Sequence, residues 1–259
     1  MNVLDSFSLA GKIALVTGGA TGFGRQITEA LAEAGARVIT ASRNVPVLEK
    51  SAAEFKTRGL DVLAYKLDQG EEASIRQLID KVISNHERID VLVNNAVSRP
   101  LKPGKLDPKA WSESMQVNST GLYTISELVG EHMKQNGKGS IINISSIYGM
   151  IGIDPSLYVG TSLDNRITDY WYHKAGMINY TRYLGSVLGP HNVRVNCISP
   201  GGLYAGQPEE FVKRYSVKTF LGRMADESDL KGAIVFFASD ASAYITGVNL
   251  PLDAGLTAK

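Results

Sequence analysis

The chain alternates short β-branched runs with longer stretches of helical spacing. KIALVT (12–17), RVITAS (37–42), DVLAYKL (61–67), VLVNN (91–95), SIINIS (140–145), VRVNCIS (193–199) and a last run at 247–251 read as strands. Between them, 24–34, 46–58, 71–86, 108–136, 168–188 and 227–239 read as helical, with one or two helices in 108–136. Ile27, Ala30, Leu31 and Ala34 give the first of these one apolar face. Strands joined by helices must recross the sheet, so they run parallel, and the helices cover both faces. The expected fold is therefore α/β, with about seven parallel strands in a doubly wound sheet. No low-complexity linker, composition break or longer repeat divides the chain, so one domain over 1–259 is expected. Polar residues 204–220 show no clear period and are expected to form an irregular lid.

Between the first strand and first helix lies T17-G-G-A-T-G-F-G24. Small residues there let backbone approach a pyrophosphate, and the helix N-terminus offers free N–H groups and partial positive charge. The spacing Gly18-x-x-x-Gly22-x-Gly24 differs from G-x-G-x-x-G, and a tight loop alone would also use glycines. The strand before it and the helix after it favour a Rossmann-like dinucleotide site.

The end of the second strand bears on which dinucleotide is bound. An acid there would accept from the adenosine ribose, whereas a base suits a 2′-phosphate. T40-A-S-R-N44 has no acid. Ser42 can donate to a phosphate, and Arg43 can pair with it and stack on adenine, so NADP(H) is favoured with NAD(H) possible. The alternative is that Arg43 is a solvated loop charge. Asp68 is placed to accept from the adenine amino group, or to form a turn.

The bulk numbers exclude several classes. A net charge of +1 gives no global field toward nucleic acid or membrane. The one cysteine, Cys197, cannot form an internal disulfide, which fits a reducing compartment. With 44% apolar and 20% charged residues, no signal-like N-terminus and no run near ~20 apolar residues, a cytoplasmic protein is expected. No histidine, cysteine and carboxylate cluster points to a metal.

Together these features resemble the short-chain dehydrogenase/reductase family, in its form of roughly 250 residues, over nearly the whole chain. TGGATGFG resembles its T-G-x-x-x-G-x-G turn, and NNA (94–96) its fourth-strand motif. VNSTG (117–121) carries the family's N-x-x-G asparagine as Asn118, and INISS (142–146) its serine as Ser146. Tyr170-x-x-x-Lys174 matches the tyrosine–lysine pair, NCISPGG (196–202) the sixth-strand turn, and LPLDAG (250–255) the C-terminal strand.

The resemblance implies a catalytic set of Asn118, Ser146, Tyr170 and Lys174. It implies cofactor contacts from Gly18, Thr21, Gly22, Phe23, Gly24, Ser42, Arg43, Asp68 and Gln69. Asn95, Ala96, Tyr170, Lys174, Pro200, Gly201, Gly202 and Leu203 complete that set. Tyr170 and Lys174, four apart, share one helix face, where the ammonium can stabilise a phenolate that ordinarily forms near pH ~10. In the family the lysine also holds the nicotinamide ribose, the serine bonds the substrate oxygen and the asparagine holds a water.

Tyr158 competes for the tyrosine role, because it lies 12 residues after Ser146, near the family's usual separation. Four residues beyond it stands Ser162 rather than lysine. Tyr170 lies 24 residues after Ser146, which implies an insertion at about 154–169. That segment offers Tyr158, Asp164, Asn165 and Arg166 to a substrate, with Arg166 suited to an anion, or is a solvated loop. Ser146, Tyr158, Arg166 and Tyr172 are the candidate substrate contacts, while His173 reads as packing or substrate contact rather than acid–base. Ala205 stands near the place of the family's usual threonine, so backbone of Gly202 and Leu203 is expected to serve the carboxamide.

The reaction implied is reversible hydride transfer between a nicotinamide and a carbonyl/alcohol pair, on a small polar molecule such as a sugar, sugar acid or polyol. The alternatives are a cofactor-recycling epimerase or dehydratase, and a non-catalytic dinucleotide sensor. The resemblance also implies a homodimer or homotetramer.

Overall fold

The computed structural model describes residues 2–163 and 167–258. Among them, seven strands form one parallel sheet in the order β3-β2-β1-β4-β5-β6-β7. The strands are β1 (Ile13–Thr17), β2 (Arg37–Ser42), β3 (Val62–Lys66), β4 (Val91–Asn94), β5 (Gly139–Ile144), β6 (Val193–Pro200) and β7 (Asn249–Leu252). The helices are α1 (Gly22–Glu33), α2 (Val45–Thr57), α3 (Glu72–His86), α4 (Pro108–Met115), α5 (Leu122–Gln135), α6 (Thr168–Leu188), α7 (Glu209–Lys218) and α8 (Lys231–Ala238).

The two-residue period of the strands sorts their side chains into two cores. Ala14, Val16, Val91, Val93, Ile142 and Ile144 face α1, α2 and α8, where Ile27, Phe55 and Phe237 are buried. Ile13, Leu15, Leu92 and Ile141 face α3, α5 and α6, against Leu78, Val129 and Leu184. Both faces are covered, which is why these strands are nearly continuous apolar runs rather than alternating ones.

The order reverses at β1, which pairs with β2 on one side and β4 on the other. Crossovers leave in opposite directions there, so a crevice opens at the carboxyl ends of the strands.

One expectation needs correction. The stretch 204–220 is not irregular throughout, because Glu209–Lys218 forms α7. Glu209 and Glu210 suit its N-terminal turn, but its apolar side is carried by few residues. Buried Phe211 and Tyr215 pack with Leu157 and Met224, a contact that no local period reveals. The 108–136 region is two helices joined by a π-helical turn, Gln116–Gly121, which contains Asn118.

Candidate active site

The carboxyl ends of the central strands open onto a cleft of about 570 Å³. Gly18, Thr21, Gly22, Phe23, Gly24, Ser42, Arg43, Asp68 and Gln69 line it on the β2–β3 side. Asn95, Ala96, Ser98, Arg99, Ser146, Tyr170, Lys174, Pro200 and Gly201 line the rest. Asn118, Gly202, Leu203, Tyr158 and Tyr172 do not line it. Arg166 lies outside the described residues, as do Asp164 and Asn165.

The glycine turn is compressed against its own helix. A Cβ on Gly24 would sit 2.0 Å from the Gly18 carbonyl oxygen, so no other residue fits. The Asn95 amide donates to the carbonyls of Thr17 and Gly18 at 3.0 and 2.9 Å, tying the end of β4 to the turn. Thr21 makes no side-chain cap, so the first N–H groups of α1 stay free for an anion. The Arg43 side chain is exposed and unpaired among the described residues. One oxygen of Asp68 accepts from Gly70 N–H at 3.0 Å, so this carboxylate shapes its turn while also lining the cleft. These groups fit a phosphorylated dinucleotide: small backbone, an open helix start and a free guanidinium.

Lys174 is buried on α6, and its ammonium donates to the Ile144 carbonyl at 2.5 Å. Its Nζ lies 5.6 Å from the Tyr170 ring centre. Burial pushes the lysine below its ordinary value, Tyr170 and Cys197 oppose that shift, and Arg99 adds to it. Ser146 follows β5 and accepts from the Tyr148 N–H at 3.2 Å, so its own proton stays available. The turn after it packs tightly on α6, because a Cβ on Gly149 would lie 2.8 Å from the Lys174 carbonyl. Ser145 completes that seam by donating to the same carbonyl at 2.8 Å.

Asn118 is buried behind the cleft. Its amide donates to Ser98 O and Ser114 Oγ at 2.8 and 2.9 Å, and its oxygen accepts from Ser98 N–H at 2.8 Å. Ser114 donates in turn to the buried carboxyl of Asp169, the residue before Tyr170. The Gly202 N–H donates to the Tyr215 hydroxyl, and its carbonyl accepts from Ala225. The Leu203 carbonyl accepts from Gln207, leaving only the Leu203 N–H of the backbone groups expected for the carboxamide.

The sequence comparison matches residues 18–257 to the family described as enoyl-(acyl carrier protein) reductase. The chain is 31% identical over 253 residues to 3-oxoacyl-(acyl-carrier-protein) reductase of Thermotoga maritima, across 96% of this chain and 98% of that protein. These matches span the sheet and the cleft together.

The chain belongs to the short-chain dehydrogenase/reductase family.

It is an NAD(P)-dependent oxidoreductase acting on CH–OH groups. This short-chain dehydrogenase/reductase is also 35% identical over 261 residues to NADP-dependent mannitol dehydrogenase of Alternaria alternata, across 97% of this chain and 94% of that one. Among solved structures it is similar to a gluconate 5-dehydrogenase from Burkholderia cenocepacia in complex with NADP and tartrate. That match has a TM-score of 0.89 and 29% identity, over 100% of both chains.

Two tyrosines of the dehydrogenase that the sequence offered to substrate sit elsewhere. Tyr158 bonds the Tyr148 hydroxyl at 2.6 Å and packs on Phe211, away from Lys174. Tyr172 is 65% exposed and packs at a tilt against Trp111 outside the cleft. His173 is buried, and burial, then Lys174 and Arg99, push its pKa down to about 3, so it stays neutral near neutrality. Cys197 lies buried in β6, and burial pushes its thiol up to about 11. Among the described residues no cluster of three or more histidine, cysteine or acidic side chains could hold a metal, and no helix is long and apolar enough to cross a membrane.

Sequence reasoning missed Arg99. Its guanidinium carbon lies 4.6 Å from the Tyr170 ring centre. The available signal was its place, three residues past Ala96 at the carboxyl end of a central parallel strand. It also missed the Ser114–Asp169 contact, because 55 residues separate the partners.

Proposed function

We propose that the enzyme prefers NADP(H) and interconverts a secondary alcohol and a carbonyl on a polyol- or sugar-acid-like molecule. The observation that carries the proton chemistry is the buried ammonium of Lys174 beside the Tyr170 ring, at the cleft wall that also holds Ser146. When bound, NADP(H) supplies or accepts the hydride. Tyr170 takes the alcohol proton at its phenolic oxygen in oxidation and returns it to the carbonyl oxygen in reduction. Lys174 favours the phenolate electrostatically. Ser146 donates a hydrogen bond to the substrate oxygen and keeps its proton.

Asn118 braces the Ser98 loop and, through Ser114, the start of α6. Both its amide protons are taken, so its side chain acts on the position of Tyr170 rather than as a donor to substrate. The unpaired Arg43, next to Ser42, supports recognition of the 2′-phosphate. The NADP-dependent mannitol dehydrogenase and the gluconate 5-dehydrogenase with NADP support both the cofactor choice and the substrate class.

The whole chain acts as one domain. Residues 154–163 and α7 form a cover on the substrate side, supported by the shared packing of Leu157, Tyr158, Phe211 and Tyr215 and by the Lys218–Asp154 ion pair. Exposed Tyr123, Tyr183 and Val187 on α5 and α6 support assembly as a dimer or tetramer, which light scattering would test.

The decisive assay follows NADPH absorbance with mannitol, sorbitol and gluconate and with their keto forms, in both directions. Turnover with NADP(H) exceeding that with NAD(H) is expected. Tight NADPH binding with no turnover on any of them would instead favour a sensor.

A further inference from the structure

Most arginines of this protein are already satisfied. Arg25 pairs with Glu54, Arg37 with Asp61, Arg88 with Asp90 and Arg223 with Asp229. Two guanidinium groups line the cleft without a hydrogen bond or ion pair among the described residues, those of Arg43 and Arg99. Arg43 stands past β2, with the adenosine end. Arg99 stands over the Tyr170 ring, at the reacting end.

No lining carboxylate neutralises Arg99. Asp68, on the β3 side, is the acidic residue among those lining the cleft. Asp169, next to Tyr170, is buried and bonded to Ser114. Arg99 and Lys174 both act electrostatically on His173, so positive charge collects around the tyrosine. Such a concentration of charge on one wall attracts and orients an anion. A guanidinium held on an aromatic face keeps its edge donors for a planar or tetrahedral oxyanion, often in bidentate form. The exposed side chain follows Ser98, whose backbone is clamped on both sides by Asn118, so its base is fixed.

We propose that Arg99 is the substrate's anion-binding residue, and that the preferred substrate carries an oxyanion, a carboxylate or a phosphate ester, beside the carbon that is oxidised. This rests on the oxidoreductase reading above. It narrows the substrate from polar molecules in general to hydroxy or keto acids and sugar phosphates. It also moves the anion contact from Arg166, the residue the sequence offered, to a side chain on the β4 loop.

The test is a calorimetric titration of the NADP-loaded enzyme with D-gluconate, D-glucose 6-phosphate and neutral sorbitol, on the wild type, Arg99→Gln and Arg99→Lys. At least one anion is expected to bind the wild type tenfold or more tightly than sorbitol. Arg99→Gln should remove that advantage, Arg99→Lys should restore part of it, and NADPH affinity should stay within about twofold. Which anion wins tells carboxylate from phosphate ester. Equal binding of sorbitol and both anions to the wild type would overturn the proposal, as would a matching loss for all three in Arg99→Gln. A tenfold fall in NADPH affinity in that variant would overturn it too, by assigning Arg99 to the cofactor. The oxidoreductase reading fails separately, if Tyr170→Phe keeps its turnover.

Discussion

The ammonium of Lys174 lies 5.6 Å from the ring centre of Tyr170, one helical turn away on α6. Its other contact, the Ile144 carbonyl at the end of β5, fixes it from below. A charge held this way cannot swing to water, and it acts on the tyrosine through a buried, weakly screened path.

Tyr170→Phe is therefore expected to lower turnover by about 10²–10⁴-fold, the range for a lost general acid–base group, with NADPH affinity nearly intact. Tyr158→Phe should retain most activity, because its hydroxyl bonds Tyr148 near α7 and does not line the cleft. Steady-state rates and fluorescence titration of both variants check this. The reverse pattern would sink the assignment of Tyr170.

Arg43→Ala is expected to weaken NADPH by about 10–100-fold, the loss of one charge-assisted hydrogen bond, and NADH by much less. Equal losses for the two cofactors, measured by titration, would remove the basis for NADP preference.

Ser114→Ala leaves both oxygens of the buried Asp169 carboxyl without a partner, since Oδ1 has none among the described residues already. It also removes an acceptor from Asn118. A stability loss of about 1–3 kcal/mol is expected in denaturant unfolding. Asp169→Asn combined with Ser114→Ala should be non-additive, because the two partners share one contact. Additive losses would show that the contact carries no coupling.

His173 gives the fold a pH dependence of known sign. Its folded pKa is pushed down to about 3, whereas an unfolded histidine titrates near ~6.5. Between those values the unfolded chain binds a proton that the folded protein does not, so stability falls as pH drops through this window and is fully present above it. This one group contributes a slope of up to about 1.4 kcal/mol per pH unit. His173→Phe should flatten the loss of stability between about pH 6.5 and 4 relative to the wild type. Parallel curves for the two proteins would contradict it.

The alternation of β-branched and helical runs carried the architecture, because a parallel sheet covered on both faces leaves that pattern in any sequence. Strand ends moved by about one residue, as with 12–17 against Ile13–Thr17. Helix α7 was not legible, since its apolar side is only Phe211, Val212 and Tyr215, and it is buried by residues far along the chain. The glycine turn and the Tyr170–Lys174 pair were legible because each is local: one is a strand–turn–helix joint and the other is a single helical turn.

What the sequence by itself determined was the fold, the family and the proposed reacting groups that lie close together along the chain. What only the tertiary structure decided was which distant side chains meet. Arg99 meets Tyr170 across 71 residues of sequence because the β4 loop folds over the start of α6. Tyr158 is drawn from the cleft to Phe211 by a small apolar cluster. Both outcomes depend on packing between elements, where burial and charge decide the partner and spacing along the chain does not.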